Sequence, residues 1–262
     1  MTQTDSTTEN QEQPLISHLI ELRNRLLKIV LSVLGIFLGL FYFANDLYLI
    51  LVDPLSSILP AGGGMIATGV TSPFLVPFKL TLVLAVFLAV PFILHQVWSF
   101  IAPGLYKHEK KFAIPLLLSS IILFYSGIVF AYYVVLPLAF SFFTTVGPQG
   151  VTLMPDISNI LNFILKMFFA FGIAFEIPIA TFLMVLMGIT TVESLSAKRP
   201  YIFLGCFVVG MLLTPPDVIS QTILAVPMWM LFEVGVLFSR LIKRPIEADK
   251  NTADDNTIDP NA

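Results

Sequence analysis

Glu176 stands in the stretch Phe168 to Thr181, FFAFGIAFEIPIAT, within an apolar run from Ile160 to Ile189. Insertion scales charge about 2.5–3.5 kcal/mol for an ionised side chain at the centre of a membrane helix. A carboxylate there therefore needs a partner, water or a proton. At ~1.5 Å rise per residue it lies roughly 24 Å along the run, too deep to reach water easily at the starting end. Pro178, two residues on, removes a backbone donor and predicts a bend. Two readings stay open: a hydrogen-bonded structural glutamate that holds helices together, or a polar site in a concave protein wall. Other chemistry-bearing residues are scattered. His18, His95 and His108 stand singly, without the spacing of metal ligands, so no metal site is predicted. There is no phosphate-binding loop and no nucleophile elbow. Cys206 is alone, which rules out an intramolecular disulfide and leaves it a small packing residue.

The elements that must position Glu176 are membrane elements. Hydrophobic residues make up 56% of the chain and charged residues 12%, with a mean hydropathy of +0.89. Soluble domains carry about a quarter charged residues. The chain is an integral membrane protein on this composition, and the placement of its basic residues matters more than its formal charge of -3. Met1 to Asn24 is polar and lacks the layout of a secretory signal, so no cleaved signal peptide is expected.

Residues 1–14 read as a disordered polar tail, 15–244 as the membrane domain and 245–262 as an acidic disordered tail. From Leu15 to Lys28 leucines recur at three and four, predicting a helix along the membrane surface, with Glu21 and Arg25 an i, i+4 pair. Spans follow at Ile29–Phe43, Phe74–Phe100, Phe112–Leu138, Ile160–Met187, Tyr201–Leu213 and Ile219–Phe238, six in all. Between the first two, Leu47 to Leu59 is apolar enough to lie on the membrane surface.

Twelve of the fourteen Lys and Arg residues fall on one side of this layout, and only Lys79 and Lys166 lie within spans. The positive-inside rule makes that side the cytoplasm and puts both termini there. Two spans look short. Tyr201–Leu213 reaches only about 20 Å against a hydrocarbon core of about 30 Å, and in the last span only Thr222 to Phe232 is free of strongly polar side chains. Lys166, about two turns into the fourth span, reads as snorkelling toward the outer surface.

Five segments carry a resemblance: HLIELRNRL (His18–Leu26), QVWSFIAPGLYKHEK (Gln96–Lys110), FAFGIAFEIP (Phe169–Pro178), KRPY (Lys198–Tyr201) and GMLLTPPDVISQ (Gly210–Gln221). In this order they are similar to the TatC family, the core receptor subunit of the twin-arginine protein translocase. The resemblance runs from Leu15 to Arg240. It implies an all-α, polytopic, cup-shaped bundle of six transmembrane helices in the bacterial inner membrane. It also implies no enzymatic activity and no cofactor, but export of folded proteins on the proton-motive force. The implied partners are twin-arginine signal peptides, small single-span subunits of the TatA and TatB type, further copies in a multimeric receptor and the lipid bilayer. No nucleic acid is expected.

Carried over by residue, Glu21 and Glu109 match the acids that receive the paired arginines, with Phe100 and Arg23 beside them. Met211, Leu212, Thr214 and Gln221 match positions where the single-span subunits dock; Glu176 matches the intramembrane acid. Pro215, Pro216 and Asp217 form the turn between the last two spans. Lys166 departs from the family's pattern. The alternative from another class is an ion or solute transporter that uses Glu176 as a proton carrier. A transporter has no need of Glu21 and Glu109, whereas a reader of twin arginines does.

Overall fold

The computed structural model describes residues 6–56, 65–101, 113–146, 154–214 and 217–241, with side chains described from Leu19 onward except at 53–56, 101, 144 and 146. All described elements are helical apart from one isolated parallel bridge between Ile66 and Asp156. Helix α1, Ser6–Leu40, passes through a short 3-10 turn into α2, Ala44–Ser56. The segment expected to lie along the surface as a separate helix is thus the start of a single unbroken one. It begins inside residues 1–14, whose side chains lie outside the described set. Helix α3, Ser72–Ile101, packs against both α1 and α2. Phe78 of α3 meets Phe37 and Phe41 edge-on at 5.2 and 6.1 Å, and Leu47, Tyr48 and Leu51 of α2 pack on the cluster of Val76, Leu80, Leu161 and Leu165.

Helix α4, Ala113–Phe130, continues through a π-helical turn at Ala131–Val135 into α5, Leu136–Val146. The wide turn has a local cause: Pro137 offers no N–H and its ring would crowd the carbonyl of Tyr133, so the turn before it opens. The predicted fourth span is two helices, α6 (Ile157–Ala174) and α7 (Ile177–Leu186). Two residues past α7 stands Gly188, whose φ of 75° lies in the left-handed region that favours glycine. The amide of Ile189 bonds the Met184 carbonyl at 3.0 Å and that of Gly188 the Val185 carbonyl at 3.2 Å, closing the helix in a Schellman motif.

A short α8, Val192–Ala197, capped by the Thr191 hydroxyl, leads into α9, Arg199–Leu213, and α10, Val218–Ser239. Among the described residues, five helical runs are long and apolar enough to cross a membrane, and α9 is a shorter apolar helix. One expectation is corrected: the last span is not short. Gln221 and Glu233, which bracket its most apolar stretch, lie inside a 22-residue helix close to the expected Ile219–Phe238, and Glu233 has a cationic partner there. The largest core groups Phe87, Phe124, Phe168 and Phe171 with Met167, Leu136 and Met228, so α3, α4, α6 and α10 share one apolar centre. Cys206 is buried at its edge as a packing residue.

The start of α6 is fixed by a latch. Asp156 Oδ1 accepts from the amides of Ser158 and Asn159 at 2.8 and 3.3 Å, and Oδ2 accepts from the Thr68 amide and hydroxyl at 2.8 and 2.6 Å. These bonds, those from Thr68 first, hold the Asp156 carboxyl at about 2, below its ordinary 3.8. A depressed carboxyl stabilises the fold above its unfolded value and loses that contribution as pH falls through its folded one. Asp156→Ala should therefore melt earlier than the unaltered chain at pH 7, and the gap should close as pH is taken from about 4 toward 2. Melting curves in detergent across that range check it; equal melting at pH 7 would show the latch to be idle.

Candidate functional site

At the α1 end, Arg25 gathers three elements of charge and backbone. Its Nη2 and Nε donate to Glu21 Oε1 at 2.5 and 3.1 Å, and its Nη1 and Nη2 reach the carbonyls of Gln96 and Ser99 at 3.3 and 3.2 Å. The i, i+4 spacing that sets Glu21 one turn before Arg25 is helical geometry. What sequence spacing does not give is the bond across to the last turn of α3. That bond puts Glu21 and the half-buried Phe100 at one junction. Arg23 points elsewhere, to Asn24, on the exposed face. Glu109 lies outside the described residues.

Glu176 sits at the junction of α6 and α7. Ala174, two residues before it, ends α6, and Pro178, lacking an N–H, leaves the Ala174 carbonyl without its i+4 donor. The chain therefore turns, with Glu176 N–H on the Ile173 carbonyl at 3.0 Å. Its Oε1 is buried and has no hydrogen-bond partner, while Ser120 on α4 faces the carboxylate. Glycines on both sides allow the break to be buried. A Cβ on Gly127 of α4 would strike the Phe171 carbonyl and approach the Phe175 ring at 3.0 Å; one on Gly235 of α10 would strike Thr181 and stand 2.8 Å from Pro178 Cα. The residues beside Glu176, Phe175 and Pro178, line an apolar groove of about 520 Å³ between α4, α7 and α10.

At the α9–α10 turn, Met211 and Leu212 are exposed, with Leu212 at 72%. Thr214 is buried and bonds the Gly210 carbonyl at 2.9 Å. Gln221 is half-buried, its backbone carbonyl 3.3 Å from where a Gly210 Cβ would stand. Asp217 caps α10 by accepting from the Ser220 amide at 2.7 Å. Pro215 and Pro216 lie outside the described residues. Val218 and Ile219 are exposed on the next turn, so the outer surface of this corner is apolar.

One polar pair escaped the sequence reading. Arg199 Nη2 donates to Glu233 Oε2 at 2.7 Å, tying the start of α9 to the middle of α10, with Arg199 Nε and Glu233 Oε1 buried and unpartnered. The signal was available: an acid inside an apolar span needs a cation, and Lys198 and Arg199 form the basic cluster that precedes α9. Among the described residues no cluster of His, Cys, Asp or Glu has metal-binding geometry.

The family model described as "Sec-independent protein translocase protein (TatC)" matches residues 17–227. The chain is similar to the Sec-independent protein translocase protein TatC of Azotobacter chroococcum mcd 1, 60% identical over 89% of this chain and 92% of that one. It is 57% identical to the protein of that name from Escherichia coli (strain K12), over 87% of this chain and 88% of the other. A crystal structure described as the twin arginine translocase receptor TatC superposes with a TM-score of 0.77 at 38% identity, covering 86% of this chain and 98% of that chain.

Proposed function

The chain belongs to the TatC family, and from that premise we propose that it reads paired arginines with Glu21 and Glu109 at one end of its helical bundle. It is a multi-pass protein of the bacterial cytoplasmic membrane and a component of the Sec-independent, twin-arginine translocase, which moves protein rather than catalysing a reaction. A family match over nearly the whole membrane domain favours this reading over an ion or solute transporter built on Glu176. We place both termini in the cytoplasm, with α9 as a sixth, short crossing, because the basic residues cluster on that side.

The observation that carries the recognition site is the Arg25 junction. Arg25 takes Oε1 of Glu21 but also touches the Gln96 and Ser99 carbonyls. It therefore has acceptors to keep when an incoming guanidinium takes the carboxylate. A guanidinium presents a planar fork that a carboxylate meets with two hydrogen bonds, which a lysine ammonium does not reproduce. Two acids on separate segments hold two successive arginines, and Phe100 offers an apolar or cation-π face worth about 0.5–2 kcal/mol. At the far corner, the exposed Met211 and Leu212 beside Thr214 and Gln221 suit docking of single-span partner helices of the TatA and TatB type. Several copies of the chain would share one receptor complex.

The test is binding of a twin-arginine signal peptide and its twin-lysine variant to the full chain in nanodiscs, with a photo-crosslinker at Leu212 and single-span subunits in the same preparation. A bond to a charged group contributes about 1.5–3 kcal/mol. Glu21→Ala and Glu109→Ala should thus each weaken the arginine peptide by roughly ten- to a hundredfold and leave the lysine peptide nearly unchanged. Binding should also fall with salt. Discrimination that survives the double substitution would place recognition elsewhere, and a Leu212 crosslinker that captures no single-span subunit would remove the docking corner.

A further inference from the structure

Lys79 and Lys166 stand inside α3 and α6, about 10 and 14 Å from the helix starts at Ser72 and Ile157. Those starts are side by side, since Ser158 Oγ donates to Ser72 Oγ at 3.0 Å and Ile66 pairs with Asp156. The two ammonium groups therefore lie at similar depth on one wall. Lys79 Nζ donates to Asn162 Oδ1, one turn before Lys166 on α6. Both lysines line an open groove of about 680 Å³ whose remaining wall is apolar, with Val83 and Phe169 near them and Val209 and Leu213 contributed by α9. The ion pairs Glu21–Arg25 and Glu233–Arg199 do not include these lysines.

Two cations on one wall repel each other and gain from a shared anion, the more so where water is scarce. The groove asks for an occupant charged at one end and apolar along the rest, which a free anion is not. The depth also fits a lipid. Helix α9 has 15 residues, about 22 Å against a hydrocarbon core of about 30 Å, and its terminal Leu213 lines this groove. A short helix thins the bilayer beside it, so the headgroup plane is drawn inward at this wall, toward the level of the lysines.

We propose that this groove binds an acidic phospholipid of the surrounding bilayer, its headgroup phosphate between Lys79 and Lys166 and an acyl chain along Val83, Phe169 and Leu213. Asn162 orients the Lys79 ammonium, and Lys166 closes on the phosphate from the next turn.

The full chain in mild detergent, titrated with phosphatidylglycerol, phosphatidylcholine or inorganic phosphate and read by native mass spectrometry, tests this. The unaltered chain should retain one phosphatidylglycerol at about tenfold lower concentration than phosphatidylcholine. The double variant Lys79→Gln, Lys166→Gln should lose that preference, and Lys166→Arg should keep it. Melting of each variant in detergent shows that it is folded. Undiminished preference in the folded double variant overturns the proposal. So does displacement of the lipid by millimolar inorganic phosphate, which would make the site one for a soluble anion.

Discussion

A leucine at Gly235 is expected to leave little folded chain in detergent, and an alanine there to lower the melting temperature by several degrees. The nearest clash is with the Thr181 side chain, whose hydroxyl is tied to the Ile177 and Pro178 carbonyls at 3.0 and 2.9 Å, and the next is with backbone. A Cβ at Gly235 meets Thr181 and stands 2.8 Å from the Cα of Pro178, so α10 must move off α7 along one of the most closely packed pairs in the bundle. Within a membrane, helices are held by such close packing of small residues, because lipid tails compete equally for apolar side chains. Overpacking of this kind costs about 1–3 kcal/mol, and each kcal/mol corresponds to roughly 2–4 °C for a chain of this size. Alanine's better helix propensity offsets at most about 1 kcal/mol of that. Gly205→Ala is the control, since nothing lies within 4 Å of the position its Cβ would take. Melting of Gly235→Ala at or above the unaltered chain, with Gly205→Ala neutral, would show the α7–α10 contact to be loose.

Why the sequence reading reached some of this and not the rest follows from which interactions are local. The bend at Pro178 and the pair Glu21–Arg25 are set within one turn of helix, and both are present. Asp217, read from the sequence as a turn residue, also caps α10 through the amide three residues on. Hydropathy found the five long runs and the short α9 because lipid selects on length and polarity residue by residue. The contacts that place the site are between segments far apart in the chain. Arg25 on the α3 carbonyls spans more than seventy residues, and Thr68 on Asp156 spans 88. Arg199 on Glu233 spans 34. No periodicity encodes such a partner. The short apolar stretch read for α10 has the same origin: Glu233 counts against a span when read alone and not when Arg199 stands beside it. Gly127 and Gly235 were equally silent, since a glycine in an apolar helix shows its purpose only when the helix it touches is known.

Glu176→Leu should leave the resting protein about as stable as before and slow export about tenfold, a combination that a purely structural glutamate does not give. In the fold described here Oε1 of Glu176 is buried without a hydrogen-bond partner, a condition that costs about 1–3 kcal/mol for a polar group. Leucine removes that cost but also takes away the acceptor that the buried Ser120 faces, and it is about one methylene bulkier, so melting in detergent should stay near that of the unaltered chain. The break between α6 and α7 remains, because Pro178 and the flanking glycines set it and not the carboxylate. What is lost is the carboxylate acceptor at the break that a partner or signal-peptide helix, or water entering the bundle, can bond. Losing a single such bond during transport, about 1.4 kcal/mol, slows the step about tenfold. Glu176→Gln keeps an acceptor and adds donors, so it should retain more export than leucine while melting near the unaltered chain. Export of a twin-arginine cargo from cells carrying each variant, set beside the melting of the purified chains, separates the outcomes. A leucine variant that exports as well as glutamate would show that the acid is not needed for transport. One that both melts early and fails to export would show the residue to be structural.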